Sequence, residues 1–360
     1  PQLLDTPPGD PDAPLLPDYD IDVNRLAVER IEIGEAVAGR RYLAQLAGEA
    51  HIADRRAQVT ANGRTIAFGR SGGGDRIALR LDAVPDDNRF DVDLRVQAPT
   101  GGLVAGLASL KAPLTVNLDG RGSWAQWRGR LAGTLGGQPL ADLGVTGRDG
   151  SFAVRGFTRP GLYLEGPVER LTAPRLDVAI DATMAERRVD TRIRLRSSAL
   201  SVASQGLIDL GGGRFGNFRT EAMLLTPGAI APNLNGRSVR AAVVLDGPFG
   251  TPTVNYKLQA ARLGFGEMAV EQVYAEGLAR VDADRILIPI NARARRVIGL
   301  NAAVGGLVTN VAISGDLAIA GDQVLSDNLR VRSDRIDATA IVAANLSTGR
   351  YTGAFKGRVN

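Results

Sequence analysis

The feature that most constrains this chain is a period-two alternation of apolar and charged residues, which runs from near residue 20 almost to the last residue. Successive side chains of an extended strand point to opposite sides, so this pattern describes strands with one apolar and one wet face. Ile21 and Val23 open it. Ile77-Leu79-Leu81 follow, then Phe90, Val92, Leu94 and Val96 with Asp91, Asp93 and Arg95 between them. The rhythm carries Leu114-Val116-Leu118, Leu176-Val178-Ile180, and Val189, Ile193 and Leu195 with Asp190, Arg192, Arg194 and Arg196 outward. It continues through Val239-Ala241-Val243-Leu245, Val254-Tyr256-Leu258, Ile286-Ile288-Ile290, Val311-Ile313, Leu317-Ile319, Leu329-Val331 and Ile336-Ala338-Ala340-Val342. An all-β chain of about twenty short strands is expected.

Asn62-Gly63, Asp119-Gly120, Asp149-Gly150, Asn235-Gly236 and Asp246-Gly247 are dipeptides of the kind that close two-residue hairpins, which predicts antiparallel pairing of neighbours. Helical pattern is confined to residues 103–110 and to residues 227–234, where Pro227 suits a first helical position. Turn signals are unevenly spaced, which argues against a strict solenoid repeat. Residues 1–17, with Pro1, Pro7, Pro8, Pro11, Pro14 and Pro17, read as an extended linker, and residues 18–360 as one continuous repetitive region.

Composition then narrows the architecture. Aromatics make up only 5% of the chain, while the 44 glycines are about 12% against roughly 7% in an average protein. So few bulky side chains would fill a closed core poorly. An elongated, curled antiparallel sheet with a partly unfilled, apolar concave face fits better. A trough lined by Val, Ile and Leu is a solvent for acyl chains, and its expected lining is the apolar members of the runs above, from Ile77 to Ile336.

Several chemistries are excluded. There is no cysteine and one histidine, His51, which removes thiolate nucleophiles, Cys-based zinc sites and most imidazole acid–base chemistry. Ser197, Ser198, Ser201 and Ser204 lie in no G-x-S-x-G elbow and have no histidine base. His51, near Glu49 and Asp54, has no second imidazole and reads as a solvent-facing strand residue. Gly120-Arg121-Gly122 is followed at the third position by Ala125 and by strand-like sequence, so it reads as a glycine turn rather than a dinucleotide loop. Gly72-Gly73-Gly74 and Gly211-Gly212-Gly213 lack the Lys-Ser/Thr of a phosphate loop and read as loops. Asp86-Asp87 and Asp282 with Asp284 read as solvated carboxylates. Trp124 and Trp127, three residues apart, fall on opposite strand faces. No catalytic residue, metal or cofactor is expected. The 43 basic residues, all arginine except Lys111, Lys257 and Lys356, are interspersed with 39 acidic ones, which predicts a wet outer face and no nucleic-acid patch. The 14-residue charge-free stretch 97–110 is too short for a membrane span.

Some phrases of the sequence carry a resemblance. Leu16-Pro17-Asp18-Tyr19-Asp20-Ile21 followed by the stretch from Leu26 to Gly39, the segment Gly120 to Leu131, Leu245-Asp246-Gly247-Pro248-Phe249-Gly250-Thr251-Pro252-Thr253-Val254, and the stretch Asp334 to Gly357 resemble the repeating strand units of the TamB family. TamB is the inner-membrane component of the translocation and assembly module, within the AsmA-like, bridge-like lipid transfer proteins. The resemblance implies a periplasmic β-groove, anchored in the inner membrane and reaching toward the outer membrane. Such a groove would conduct phospholipid and work with a BamA-like outer-membrane barrel partner in outer-membrane biogenesis and protein secretion. The family's N-terminal anchor and barrel-contacting domain are not recognisable here, so a partial chain is expected. Two other readings stay open: a scaffold for outer-membrane protein assembly that templates client strands at a sheet edge, and a structural β-solenoid of the adhesin type.

Overall fold

The computed structural model describes residues 20–53, 56–67, 74–84, 89–123, 125–281, 286–299, 307–345, 348 and 350–359. The expected linker, Gly72-Gly73, Asp86-Asp87, Trp124, Asp282 and Asp284 lie outside the described residues. Among the described residues the chain is all-β: strands account for 74% and helices for 6%, and the 22 strands form antiparallel sheet. It divides into two compact units, residues 1–164 with 175–186, and residues 165–174 with 187–360.

Unit 1 holds β1 (Ile21–Ile33), β2 (Tyr42–Ala53), β3 (Arg56–Ala67), β4 (Arg76–Val84), β5 (Arg89–Ala98), β6 (Leu114–Gly122), β7 (Gln126–Leu135), β8 (Gln138–Arg148), β9 (Ser151–Thr158) and β10 (Leu176–Ala185). Each pairs antiparallel with the next. Short helices α1 (Glu35–Ala38) and α2 (Leu103–Leu107) interrupt the meander. Asp75 fixes α2. Its buried Oδ2 accepts from Thr65 Oγ1 at 2.7 Å and from the Leu103 and Val104 amides at 2.6 and 3.2 Å, satisfying backbone donors that the first helical turn leaves free.

Unit 2 begins with α3 (Pro167–Thr172) and continues with β11 (Arg188–Arg196), β12 (Leu200–Asp209), β13 (Arg214–Leu224), β14 (Leu234–Arg237), β15 (Val239–Pro248) and β16 (Thr253–Phe265). Then come β17 (Met268–Val281), β18 (Ile286–Ile298), β19 (Leu307–Ala320), β20 (Gln323–Arg332), β21 (Ile336–Asn345) and β22 (Tyr351–Val359). β14 and β15 both pair with β16, so they act as one strand broken at Ser238. Of the helical pattern expected after Pro227, one 3-10 turn forms, Pro227–Ala229.

Four of the five expected hairpin turns are corrected. Only Asp149-Gly150 turns the chain, with φ of 47° and 75°, as a primed turn requires. Asn62-Gly63, Asp119-Gly120, Asn235-Gly236 and Asp246-Gly247 lie inside β3, β6, β14 and β15. Gly120-Arg121-Gly122 is likewise the end of β6 and not a turn. The reason at Gly120 is space. A Cβ there would sit 1.9 Å from Trp127 Cζ2, and one at Gly129 on the neighbouring strand 2.4 Å from Trp127 Cη2. The indole thus lies on a bed of glycine backbone, with the Phe90 ring 5.9 Å away. By contrast Gly211-Gly212-Gly213 does form a loop, between β12 and β13.

One irregularity is coordinated across strands. Ser238, Gln272 and Asn310 have φ near +50° (54°, 51° and 50°), and the flanking pairs put Ser238, Ala261, Gln272, Arg295 and Asn310 in one row. Crossing this row inverts the side-chain alternation. Arg262, Glu271 and Arg296 therefore reach the polar face, where strict alternation would turn them to the other, and Arg296 bonds Glu271.

The glycine bed is testable. Gly120→Val should destabilise the protein by about 1–3 kcal/mol through overpacking, and combining it with Trp127→Ala should recover part of the loss. A double-mutant cycle in urea unfolding that gave additive effects would refute the contact.

Candidate functional site

Register turns the alternation into continuous rows. In unit 1, Leu79, Leu94, Leu118, Leu131 and Leu143 stand opposite one another on β4 to β8. A row on one side joins Gly63, Ile77, Val96, Val116 and Gly133; the row on the other joins Val59, Leu81, Val92, Gly120, Gly129, Val145, Val154 and Ile180. Phe90, Leu114, Leu176 and Val178 lie on the same face, as do Trp127 and Phe152. In unit 2 a single row crosses eleven strands: Leu195, Val202, Ala222, Ala241, Leu258, Ala275, Ala292, Ile313, Val331, Ala338 and Gly357. Val189, Ile193, Val239, Val243, Leu245, Val254 and Tyr256 share its face. So do Ile286, Ile288, Ile290, Val311, Leu317, Ile319, Leu329 and Ile336. Each unit therefore gathers all of its sequence-expected lining residues on one face.

These faces are not packed cores. Most of their large side chains are half-buried, and of the eighteen buried apolar residues described, twelve are alanines. Short helical elements cover one end. In unit 1 the buried Tyr42 hydroxyl donates to the Gly101 and Gly102 carbonyls, both at 3.1 Å, at the start of α2. In unit 2 Arg170 of α3 donates to the Ala229 and Ile230 carbonyls, both at 2.9 Å, beside the buried Ala199, Pro227 and Val239. Ser204, Thr220 and Tyr256, in one row with Ile193 and Val243, bring hydroxyls to this face; Ser204 and Thr220 bond each other at 2.9 Å, and Tyr256 bonds the backbone. The Tyr256 hydroxyl donates to the Pro289 carbonyl at 2.5 Å, and burial raises its pKa.

The opposite face is charged. Arg130 makes a bidentate pair with Asp142 at 2.8 and 2.7 Å, Arg155 meets Asp181, Arg296 meets Glu271, and Arg330 meets Asp337. His51 lies here, half-exposed, with Nδ1 3.5 Å from Asp22. Among the described residues no three His, Cys, Asp or Glu side chains stand close enough to hold a metal ion. No helix in these residues is long and apolar enough to cross a membrane.

Sequence reading missed part of both faces. Leu46, Val59, Leu131, Leu143, Val145, Val154, Val202 and Leu224 join the apolar rows, but alanine and glycine neighbours diluted their alternation. It also missed that register brings Arg194, Arg196, Arg240 and Lys257, distant in sequence, to one stretch of polar face. No family model, curated protein or solved structure matches the chain.

The charged face makes stability pH-dependent. Hydrogen bonds from Arg130, Arg296 and Arg330 lower the carboxyl pKa values of Asp142, Glu271 and Asp337. A lowered folded pKa stabilises fully above the unfolded value, roughly 3.9–4.3, and that contribution is lost as pH falls through the folded value. Thermal unfolding should therefore hold between pH 7 and 5 and decline below about pH 4. The triple variant Asp142→Asn, Glu271→Gln, Asp337→Asn should flatten that decline; an unchanged acid slope would remove these pairs from the account.

Proposed function

We propose that the apolar rows carry the acyl chains of phospholipids, as a periplasmic, bridge-like conduit of the TamB kind working between inner and outer membranes. One observation supports this reading above the others: among the described strands, rows of Val, Leu, Ile, Ala and Gly run across each unit while the paired arginines and carboxylates of those strands lie on the opposite face. A half-buried aliphatic face dissolves hydrocarbon without selecting a headgroup, because dispersion and the hydrophobic effect are non-directional. Small residues within the rows leave room above the backbone. An inner-membrane anchor and a barrel partner of the BamA-like class would belong to parts of a longer protein. The hairpin-by-hairpin antiparallel pairing also weighs against a β-solenoid, whose coils stack strands in parallel.

Photo-crosslinking amino acids at Leu94, Val178, Val243 or Ile288 should capture phospholipid in cells, and the same groups at Asp93 or Arg194 should not. Equal labelling of both faces would sink the proposal. Val243→Asp should also block lipid passage, because an unpaired carboxylate in an apolar environment costs several kcal/mol.

A further inference from the structure

We propose that the polar face of β12 to β16 binds a phosphate group whose parent molecule also carries an ammonium or hydroxyl group. A cavity of about 410 Å³ opens there, within the roughly 300–1,000 Å³ typical of small-molecule sites. Ser201 and Ala203 on β12 and Ala242 on β15 make its floor, being short where their neighbours are long, while Arg240, Lys257 and Glu221 stand around it. Register sets the charges. One row runs Arg196, Ser201, Met223, Arg240, and the next Arg194, Ala203, Glu221, Ala242, Lys257, so the two β11 arginines flank the floor on the side away from Lys257.

These cations are poorly neutralised. Among the described residues Arg194, Arg196 and Arg240 form no ion pair, and Lys257 has only Glu276, at 3.9 Å. Elsewhere on the polar face arginines meet carboxylates directly. Like charges on neighbouring strand positions cost stability, and a bound anion would relieve that cost. The imbalance extends through unit 2, which carries 23 basic and 16 acidic residues, a net of +7, against 20 and 23, a net of −3, in unit 1.

Phosphate suits the donors because its oxygens accept the planar fork of arginine bidentately and the point charge of lysine. Glu221 decides the rest of the ligand. A carboxylate among the cations disfavours a bare polyanion and offers an acceptor to an ammonium or hydroxyl group carried on a two-carbon chain beyond the phosphate ester oxygen. A phospholipid headgroup and a soluble phosphate ester both have this chemistry. The site lies on the face opposite the apolar rows, so it stands or falls independently of the conduit.

Isothermal titration of the full chain with inorganic phosphate and with O-phosphoethanolamine tests the assignment. Phosphoethanolamine should bind about tenfold more tightly, the worth of one charge-assisted contact. Arg240→Gln with Lys257→Gln should weaken both ligands about tenfold or more, while Arg130→Gln on unit 1 changes neither. Glu221→Gln should act in opposite directions, weakening phosphoethanolamine and tightening inorganic phosphate. Unfolding curves matching the parent protein's establish that each variant is folded, and ³¹P line broadening with Glu221→Gln gives a second readout. Flotation with phosphatidylethanolamine vesicles but not with pure phosphatidylcholine assigns the phosphate to a membrane headgroup; binding of the soluble ester alone assigns it to a free metabolite. Equal affinity for phosphate, sulfate and phosphoethanolamine overturns the proposal. So does tighter binding of a short oligonucleotide that survives Arg240→Gln, which would make the patch a nucleic-acid surface.

Discussion

Strand register is the constraint on which the rest of this structure depends. Side chains alternate with a period of two, so a slip of one residue would turn Leu79, Leu94, Leu118 and Leu131 to the wet face and bring Arg80, Asp93, Asp119 and Arg130 onto the apolar one. Both faces resist that slip. The leucine row gains by contact with its own kind, and Arg130 with Asp142, or Glu271 directly opposite Arg296, holds the same register from the other side. Surface ion pairs are individually weak, so their larger role here is to penalise wrong alignments rather than to add much stability.

A sheet assembled this way spreads its stability along the ladder instead of concentrating it in a core. Among the described residues the largest fully buried side chains are Tyr42, Val308 and Asp75, two of them tied to an end of the sheet face by α2 or its flanks. Each strand otherwise leans on its two neighbours, and the energetics approach those of repeat proteins, in which nearest-neighbour interfaces sum. Glycine belongs to the same economy. Under Trp127 it lets one large ring lie half-covered against the backbone of two strands.

The all-β class and the apolar face were legible because they depend on alternation alone, which Ile77 to Leu81 or Phe90 to Val96 display without any tertiary help. The turns were not legible at Asn62-Gly63, Asp119-Gly120, Asn235-Gly236 or Asp246-Gly247. Turn propensity describes what a dipeptide allows locally, while at Gly120 the packing of a ring from the next strand decides. The inversion at Gln272 and Asn310 was hidden for a related reason. A lone residue at positive φ leaves no periodic mark, and only the register of β16 to β19 shows that the breaks coincide. The cation cluster was equally out of reach, since Arg196, Arg240 and Lys257 meet only once the strands are paired.

The two faces also explain why alanine is useful throughout unit 2. On the apolar side Ala222 and Ala241 sit between Val202 and Leu258, lowering the row without breaking its apolar character. On the polar side Ala203 and Ala242 lower the surface between arginines and a lysine and leave the space of the cavity. Ala241 and Ala242 are adjacent in sequence and face opposite ways, so one short stretch of β15 thins both surfaces at once. A larger residue at position 242 would fill the cavity and leave the apolar row untouched, and one at 241 would do the reverse. The strand's own geometry thus lets the two surfaces vary separately within a single run of residues.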